Sequence, residues 1–414
     1  MDLFKDLKMC FEEIEDPRVK NRSVHKLIDI IVISVLGTIS GANSFYELVD
    51  FAESKINFLK KYLELPGGIP SHDTFLRILS LVKPEELEKA FFNWVEMVRQ
   101  EVKDDVLCVD GKVSRGTIKT KNGSWKSKLT TVSVYSTESH LVLGQVKSSG
   151  PGNCETTAAK KLIELLNIKE QIIVSDAGVG APDFAEKIIN KGGDYLFPIK
   201  KNRKHLYNSL KNLFLSLEKD KELKKHLIST TIREKGHGRE EERTLQALKI
   251  ENCPDGMNKR ETGDEIYKNG LIVGEIVYRS VEKETRPFIK KITGEIGDKK
   301  ISYERRDNKS KEQLKRVKEE SRFFITSLDR GATDLAMIIR KQWAIESQLH
   351  WILDVSFEED NNRTRNLTVA NNLSTIRKIA FNFIKSRPSK KSVKVRMKRA
   401  GWDDQYLEQL ITQK

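Results

Sequence analysis

Three β-rich runs, VLCVDGK, TTVSVYS and LVLGQVKS, follow one another between residues 106 and 148 with turn residues between them. Three such runs with turn residues between them read as a meander. The pattern then changes. A helical run, ETTAAKKLIELLNI, precedes the strand QIIVSDA, the helix PDFAEKIINKG and the strand DYLFPIK. A meander that gives way to alternating helix and strand leaves few architectures open.

The order is that of an α/β chain with an RNase-H-like core. It predicts a first part of the core over residues 104–204 and a charged, mainly β insertion over 205–320. The core closes over 321–385 with the strand RFFITSL and a helix after it. Before the core, residues 1–103 read as an all-helical N-terminal domain. HKLIDIIVISVLGTI, FYELVDFAESKINFLKKYLEL and PEELEKAFFNWVEMVRQEV are helical in length and pattern, separated by Gly41, PGGIPSHD and Pro84. Ser71 and Asp73 suit the N-cap of a short helix through TFLRILSLV. A packing or dimerisation module and a DNA-end-binding module both fit this domain.

Two acids each end an apolar run, Asp110 in VLCVDGK and Asp176 in QIIVSDAG. Either alone reads as readily as a turn or helix cap. The segment RKQWAIESQLHWILDVSFEEDNNRTR adds a helix with Ile345, Leu349 and Ile352 at i, i+4, i+7, facing inward. Glu346, His350 and Asp354 fall at i, i+4, i+8 on its other face. Two strand-end aspartates and a helix glutamate are the ligands that two-metal phosphoryl transfer requires, with ions about 3.5–4 Å apart. Mg²⁺, with Mn²⁺ as the alternative, prefers such hard oxygen donors. Asp110, Asp176 and Glu346 are therefore expected to converge from adjacent strand ends and a docked helix, with His350 in the same cleft.

The chain of 414 residues carries a formal charge of +14, which favours a polyanionic partner, nucleic acid first. Residues 386–414 read as a basic C-terminal tail, with Arg387, Lys390, Lys391, Lys394, Arg396, Lys398 and Arg399 in a stretch without an acid. Such a run is either a solvated face or a DNA-backbone contact. Four scattered cysteines argue for a reducing compartment. The apolar stretch Leu27–Ala42 is short for a membrane span and contains Asp29. A cytoplasmic location without membrane contact is expected.

On its longer motifs the chain resembles the DDE transposases of bacterial insertion sequences, specifically the H-repeat-associated type. The resemblance runs through DPRVKNRSVHKLIDIIVISVLGTISGANS, GIPSHDTFLRIL, VDGKVSRG, IIVSDAG, GGDYLFPIKKN, an HGR element and QWAIESQLHWILDVSFEED. It implies a catalytic, metal-holding triad of Asp110, Asp176 and Glu346. It implies double-stranded DNA as partner, both element terminal repeats and target, bound by a homodimer. The activity implied is cleavage of element ends, in which water releases a 3′-hydroxyl that then attacks target DNA. Stand-alone nuclease action and catalytically silent DNA binding are the rival readings.

Lys112, Arg115, Lys200, Asn202, His237, Arg239, Trp343 and His350 are expected to face DNA. Lys112 and Arg115 also read as a salt-bridged turn, and His237 as a turn histidine. Trp343 and Trp351 also read as core or cleft-wall residues. Glu155 reads as a helix N-terminal charge. The chain departs from related groups around the glutamate, with Ile339, Gln342 and Leu353 where Tyr, Arg and Lys are usual.

Overall fold

A computed structural model describes residues 2–19, 23–99, 101–121, 124–148, 154–217, 221–236, 239–249, 272–284, 294–296, 299–305 and 314–412. They divide into two compact units, 1–171 with 342–414, and 172–341.

The first unit opens with helices α1 (Leu3–Glu12), α2 (Leu27–Ile39), α3 (Phe45–Ser54), α4 (Ile56–Leu59), α5 (His72–Leu81) and α6 (Pro84–Val98). Apolar residues fill nearly every position of α2, and all but one of its residues are buried. Its Asp29 is buried too. The carboxylate accepts from Leu65 N at 3.1 Å, and burial pushes its pKa up. No helix among the described residues is long and apolar enough to cross a membrane. The expected helix over 45–65 breaks at Lys55, whose backbone (φ −107°, ψ 19°) leaves the helical region and separates α3 from α4. Ser71 caps α5 by accepting from Thr74 N.

Strands β1 (Val106–Lys121), β2 (Ser124–Ser136) and β3 (Val142–Lys147) form the antiparallel meander, and α7 (Cys154–Leu165) packs on them. The unit closes with a π-helical segment, Ile345–His350, then α12 (Trp351–Val355), α13 (Leu367–Lys385), α14 (Val393–Trp402) and α15 (Asp404–Ile411). The N-terminal helices gather around α13. Asn372 donates to Leu79 O and Val82 O, satisfying carbonyls at the end of α5. Trp94 and Phe383 bring their rings to 4.9 Å. Residues 386–414 are not an extended tail. Ser392 and Asp403 cap α14 and α15, and Met397, Ala400, Leu407, Leu410 and Ile411 are buried. Arg396, from the basic run, is itself buried and donates to Tyr406 Oη and Arg387 O.

The second unit contains β4 (Ile172–Ser175), α8 (Pro182–Asn190), β5 (Asp194–Ile199), α9 (Lys204–Leu217), α10 (Lys221–Lys225), β6 (Ile228–Gly236), β7 (Arg239–Lys249), β8 (Ile272–Glu284), β9 (Gly294–Ile296), β10 (Lys299–Arg305), β11 (Leu314–Thr326) and α11 (Ala332–Lys341). β4 and β5 pair parallel. β5, β11, β8, β7 and β6 continue antiparallel, and β10 pairs with β11 and β9. Among the described residues the inserted region thus opens with two helices and is β thereafter. β11 starts well before the expected RFFITSL because it pairs with β8 along its whole length. Meander, helix, strand, helix, strand, insertion and closing strand are the element order of an RNase-H-like core.

Candidate active site

Val106, Leu107, Cys108 and Val109 are each at most 1% exposed, and Asp110 is the first residue of β1 to reach the surface. The strand does not end there, as the sequence suggested. It runs on to Lys121, with Asp110 opposite Ser133 of β2. One carboxylate oxygen of Asp110 accepts from Gly111 N at 2.8 Å. A Cβ on Gly111 would stand 2.9 Å from the Glu155 carboxyl, so the missing side chain admits the first turn of α7 against the strand.

The glutamate helix differs from expectation in one informative way. Ile345–His350 is π-helical, and the wider turn moves the apolar stripe by one residue. Ile345, Leu349 and Leu353 are buried, whereas Ile352 is only half-buried. Gln348 accepts from Tyr135 Oη at 2.9 Å, tying the π turn to β2. The same turn sends His350 inward, 5% exposed at its side chain, while Glu346 stays 62% exposed.

His350 Nδ1 lies 3.1 Å from Glu346 Oε2 and 3.7 Å from Asp110 Oδ2. One ligand atom from each of the three residues falls within 4.8 Å of the others. A carboxylate can only accept, so Nδ1–H donates to Glu346 and Nε2 carries the lone pair. That Nε2 is buried without a hydrogen bond. Burial, the largest influence, pushes the His350 pKa down and favours the neutral ring.

Behind this cluster lies a buried ionic layer. Lys112 Nζ, two residues beyond Asp110 on β1, sits 2.6 Å from Asp354, 3.5 Å from Glu359 and 3.5 Å from Asp360. Its side chain is 7% exposed. Lys112 thus takes the salt-bridged alternative, with its ammonium turned into the protein. Arg115 remains 80% exposed; its backbone N–H donates to Asp360, whose carboxylate also lies 3.6 Å from its Nε. Glu359 is fully buried. Its Oε1 accepts from Ser374 Oγ at 2.8 Å, and Ser374 Oγ accepts from Lys378 Nζ at 2.9 Å. Lys378, Lys112 and Arg377 outweigh the desolvation that opposes charge, and hold the Glu359 carboxyl down at about 2. Glu359, Arg377 and Lys378 were given no role from sequence. Their one signal was two adjacent cations inside the otherwise apolar helical run IRKIAFNFIK.

In the second unit Asp176 directly follows the last residue of β4. Its Oδ1 accepts from Gly178 N and Val179 N, both at 2.9 Å, which fixes the turn and leaves Oδ2 outside those two bonds. Asn202 donates to Ala177 O at 2.9 Å and so braces the same turn, with exposed Lys200 nearby in sequence. Arg239 begins β7, paired with Gly236 and Glu282. His237 lies outside the described residues. Trp343 and Trp351 are 56% and 59% exposed, so the core reading fails for both. Their indoles flank the π turn on the outside because the buried stripe runs through 345, 349 and 353.

Two family models match this chain. The transposase DDE domain covers residues 101–383, and a DDE_Tnp_1-associated domain covers 8–95. The chain belongs to the DDE transposases. Among relatives of this transposase, "Putative protein YbfL" and "H repeat-associated putative transposase YhhI", both of Escherichia coli K12, are each 31% identical over 98% of either chain. "Putative transposase YncI" of Escherichia coli O157:H7 is 30% identical over 96% of this chain and 92% of its own. A piggyBac transposase in its synaptic complex with hairpin DNA aligns at a TM-score of 0.39 and 9% identity, over 99% of this chain and 78% of that one. That likeness is too distant to argue from.

Proposed function

We propose that this transposase cuts element ends and transfers the freed 3′-hydroxyl to target DNA, with Asp110, Asp176 and Glu346 as its catalytic carboxylates. The observation that carries the reading is the convergence of Asp110 with Glu346 and His350, which lie more than two hundred residues further along the chain, within 4.8 Å. Two carboxylates, one of them oriented by the imidazole N–H, are hard oxygen donors that fit a divalent cation such as Mg²⁺ or Mn²⁺. Divalent ions bound by the carboxylates would neutralise the scissile phosphate and activate the attacking oxygen.

The chain's own residues prepare that site. Gly111 N–H holds one Asp110 oxygen and leaves the other toward His350. His350 holds Glu346 Oε2, leaving Oε1 free to turn outward. Its burial keeps the ring neutral, so it adds no positive charge to compete with a cation. Lys112 ties β1 to the segment that follows the π turn, which fixes Asp110 relative to Glu346. Asp176 is proposed as the third carboxylate, presented by a turn that its own Oδ1 organises. Exposed Arg115, Lys200 and Trp343 are proposed DNA contacts, with a homodimer as the form that joins two ends.

The test uses labelled duplexes carrying the element's terminal repeats, incubated with Mg²⁺ and the Asp110→Asn, Asp176→Asn or Glu346→Gln protein. Each variant should retain binding and lose both cut and joined products. A variant that cuts normally removes that residue from the triad. Wild-type cutting without joining would leave a nuclease, and binding without either would leave a silent DNA-binding protein.

A further inference from the structure

A cleft of about 730 Å³ opens in the first unit between α3, α5 and the segment 361–366. None of its residues belongs to the carboxylate cluster. One wall is aromatic and apolar. Tyr46, 66% exposed, stacks on His72 with centroids 4.2 Å apart and planes 24° from parallel, and Leu76 continues the wall. The other wall is the basic stretch NNRTRN, which presents exposed Arg363 and Arg365. His72 Nε2 lies 3.4 Å from Asp73 on the rim.

The inner lining includes Arg377, 5% exposed. Its guanidinium makes no hydrogen bond within the described residues. The carboxylate that acts on it, Glu359, is shared with Lys112 and Lys378. A guanidinium on the lining of a cleft, whose nearest carboxylate is shared with two lysines, is placed to donate to an anion in that cleft. The volume suits one nucleotide, since ligand clefts run from about 300 to 1,000 Å³. An open aromatic face beside unpaired guanidinium donors is the pairing that reads an unstacked base together with its phosphate.

The cleft is physically joined to the catalytic strand. A Cβ on Gly116 would collide with Asn362 O at 2.1 Å, so β1 and the basic segment touch there. Arg365 donates to Ile118 O at 3.3 Å. Gly116 is six residues beyond Asp110, roughly 20 Å of extended strand. Duplex DNA covers that length in about six base steps.

We propose that this cleft binds one unpaired nucleotide of the DNA, with its base on Tyr46 and its phosphate held by Arg363 and Arg377. The proposal rests on DNA being the substrate, but it concerns binding alone and is tested in EDTA. Failure of the catalytic reading would show instead as absent cleavage in Mg²⁺ with the binding below intact. Fluorescence anisotropy would compare a short labelled oligothymidine with a blunt, fully paired duplex on the full-length protein. Tyr46 is exposed, so its replacement leaves the core untouched.

Tyr46→Ala should weaken single-strand binding by about 5- to 150-fold, the range for loss of one base–aromatic stack. Tyr46→Phe should retain it, and duplex binding should stay within about twofold for both. Arg363→Ala should lower the single-strand salt slope by about 0.7. A Tyr46→Ala protein that binds oligothymidine like wild type overturns the proposal. If Arg363→Ala then weakens duplex and single strand alike, the cleft is a plain backbone groove; if it weakens neither, the cleft is no DNA site.

Discussion

Glu359 and Lys378 are both fully buried partners in one network, yet replacing them should have very different consequences. Glu359 faces three cations and is held at about 2 rather than 4.5, which amounts to roughly 3 kcal/mol in favour of its charge. Glu359→Gln removes that attraction and leaves Lys378 and Arg377 buried beside a neutral amide. Breaking a buried pair in this way costs about 3–5 kcal/mol. Lys378 is in the opposite position. Burial, with Lys112 and Arg377 nearby, pushes its pKa down to about 8, so the folded protein holds that charge at a cost. Lys378→Met fills similar space without the charge, and should change stability by no more than about 1 kcal/mol. The two substitutions also differ in pH dependence. The Glu359 contribution is present above about 4.5 and is lost as pH falls through about 2. The Lys378 penalty is present below about 8 and is relieved as pH rises toward 10.5, because the unfolded chain then binds the extra proton. Urea unfolding at pH 7 compares the stability of wild type and both variants, and the same measurement on wild type and Lys378→Met up to pH 10 reads the lysine window. Equal destabilisation by the two substitutions, or a wild-type rise above pH 8 that persists in Lys378→Met, would refute the reasoning.

Replacing exposed Lys390, Lys391, Lys394 and Lys398 by Gln should lower the log–log salt slope of duplex binding by up to about 3 to 4, at 0.9 for each phosphate contact. An unchanged slope would make α14 a solvated face; substitution is the sounder test, since truncation at 385 would also remove buried Arg396, Leu407 and Leu410. His350→Ala should weaken Mn²⁺ binding by about 10- to 100-fold, the usual effect of losing a group that orients a ligand; calorimetric titration giving wild-type affinity would exclude that role. Deleting exposed Ser347 should convert the π turn to an α turn, with folding retained by circular dichroism and cleavage lost. Cleavage at wild-type rate would show that the wider turn has no part in placing Glu346.

Local pattern reveals the elements whose ends are set by their own residues. The meander, α7, β4, α8 and β5 are spelled by short apolar runs and turn residues, and Ser71 marks its helix start by side-chain chemistry alone. The failures have one physical origin, in that tertiary pairing decides where a strand stops. Nothing in VDGK says that β1 continues past Asp110, because the continuation depends on β2 lying alongside, in register from Ser133 to Leu129 and, past a bulge, again from Ser127 to Ser124. β11 likewise begins early because β8 is there to pair with it. The glutamate helix shows a subtler limit. A period of 3.6 assigned Ile352 to the core, whereas the π turn buries Leu353. The sequence contains both residues and favours the regular period by default.

Charge was the hardest quantity to read. Lysine and arginine normally stay in water, so a chain with net +14 reads as one covered in DNA-facing cations. Yet Lys112, Arg377, Lys378 and Arg396 are buried. Lys112 was assigned to phosphate because it adjoins Asp110, and that same adjacency lets it reach Asp354, Glu359 and Asp360. These inward cations act on the structure around the site. Lys112 and Lys378 fix β1 and α13 around Glu359, while Arg377 keeps a donor surface toward the cleft beside Tyr46. Affinity for the duplex should therefore follow the exposed lysines of α14 and the exposed arginines 115, 363 and 365, and not the net charge of the chain.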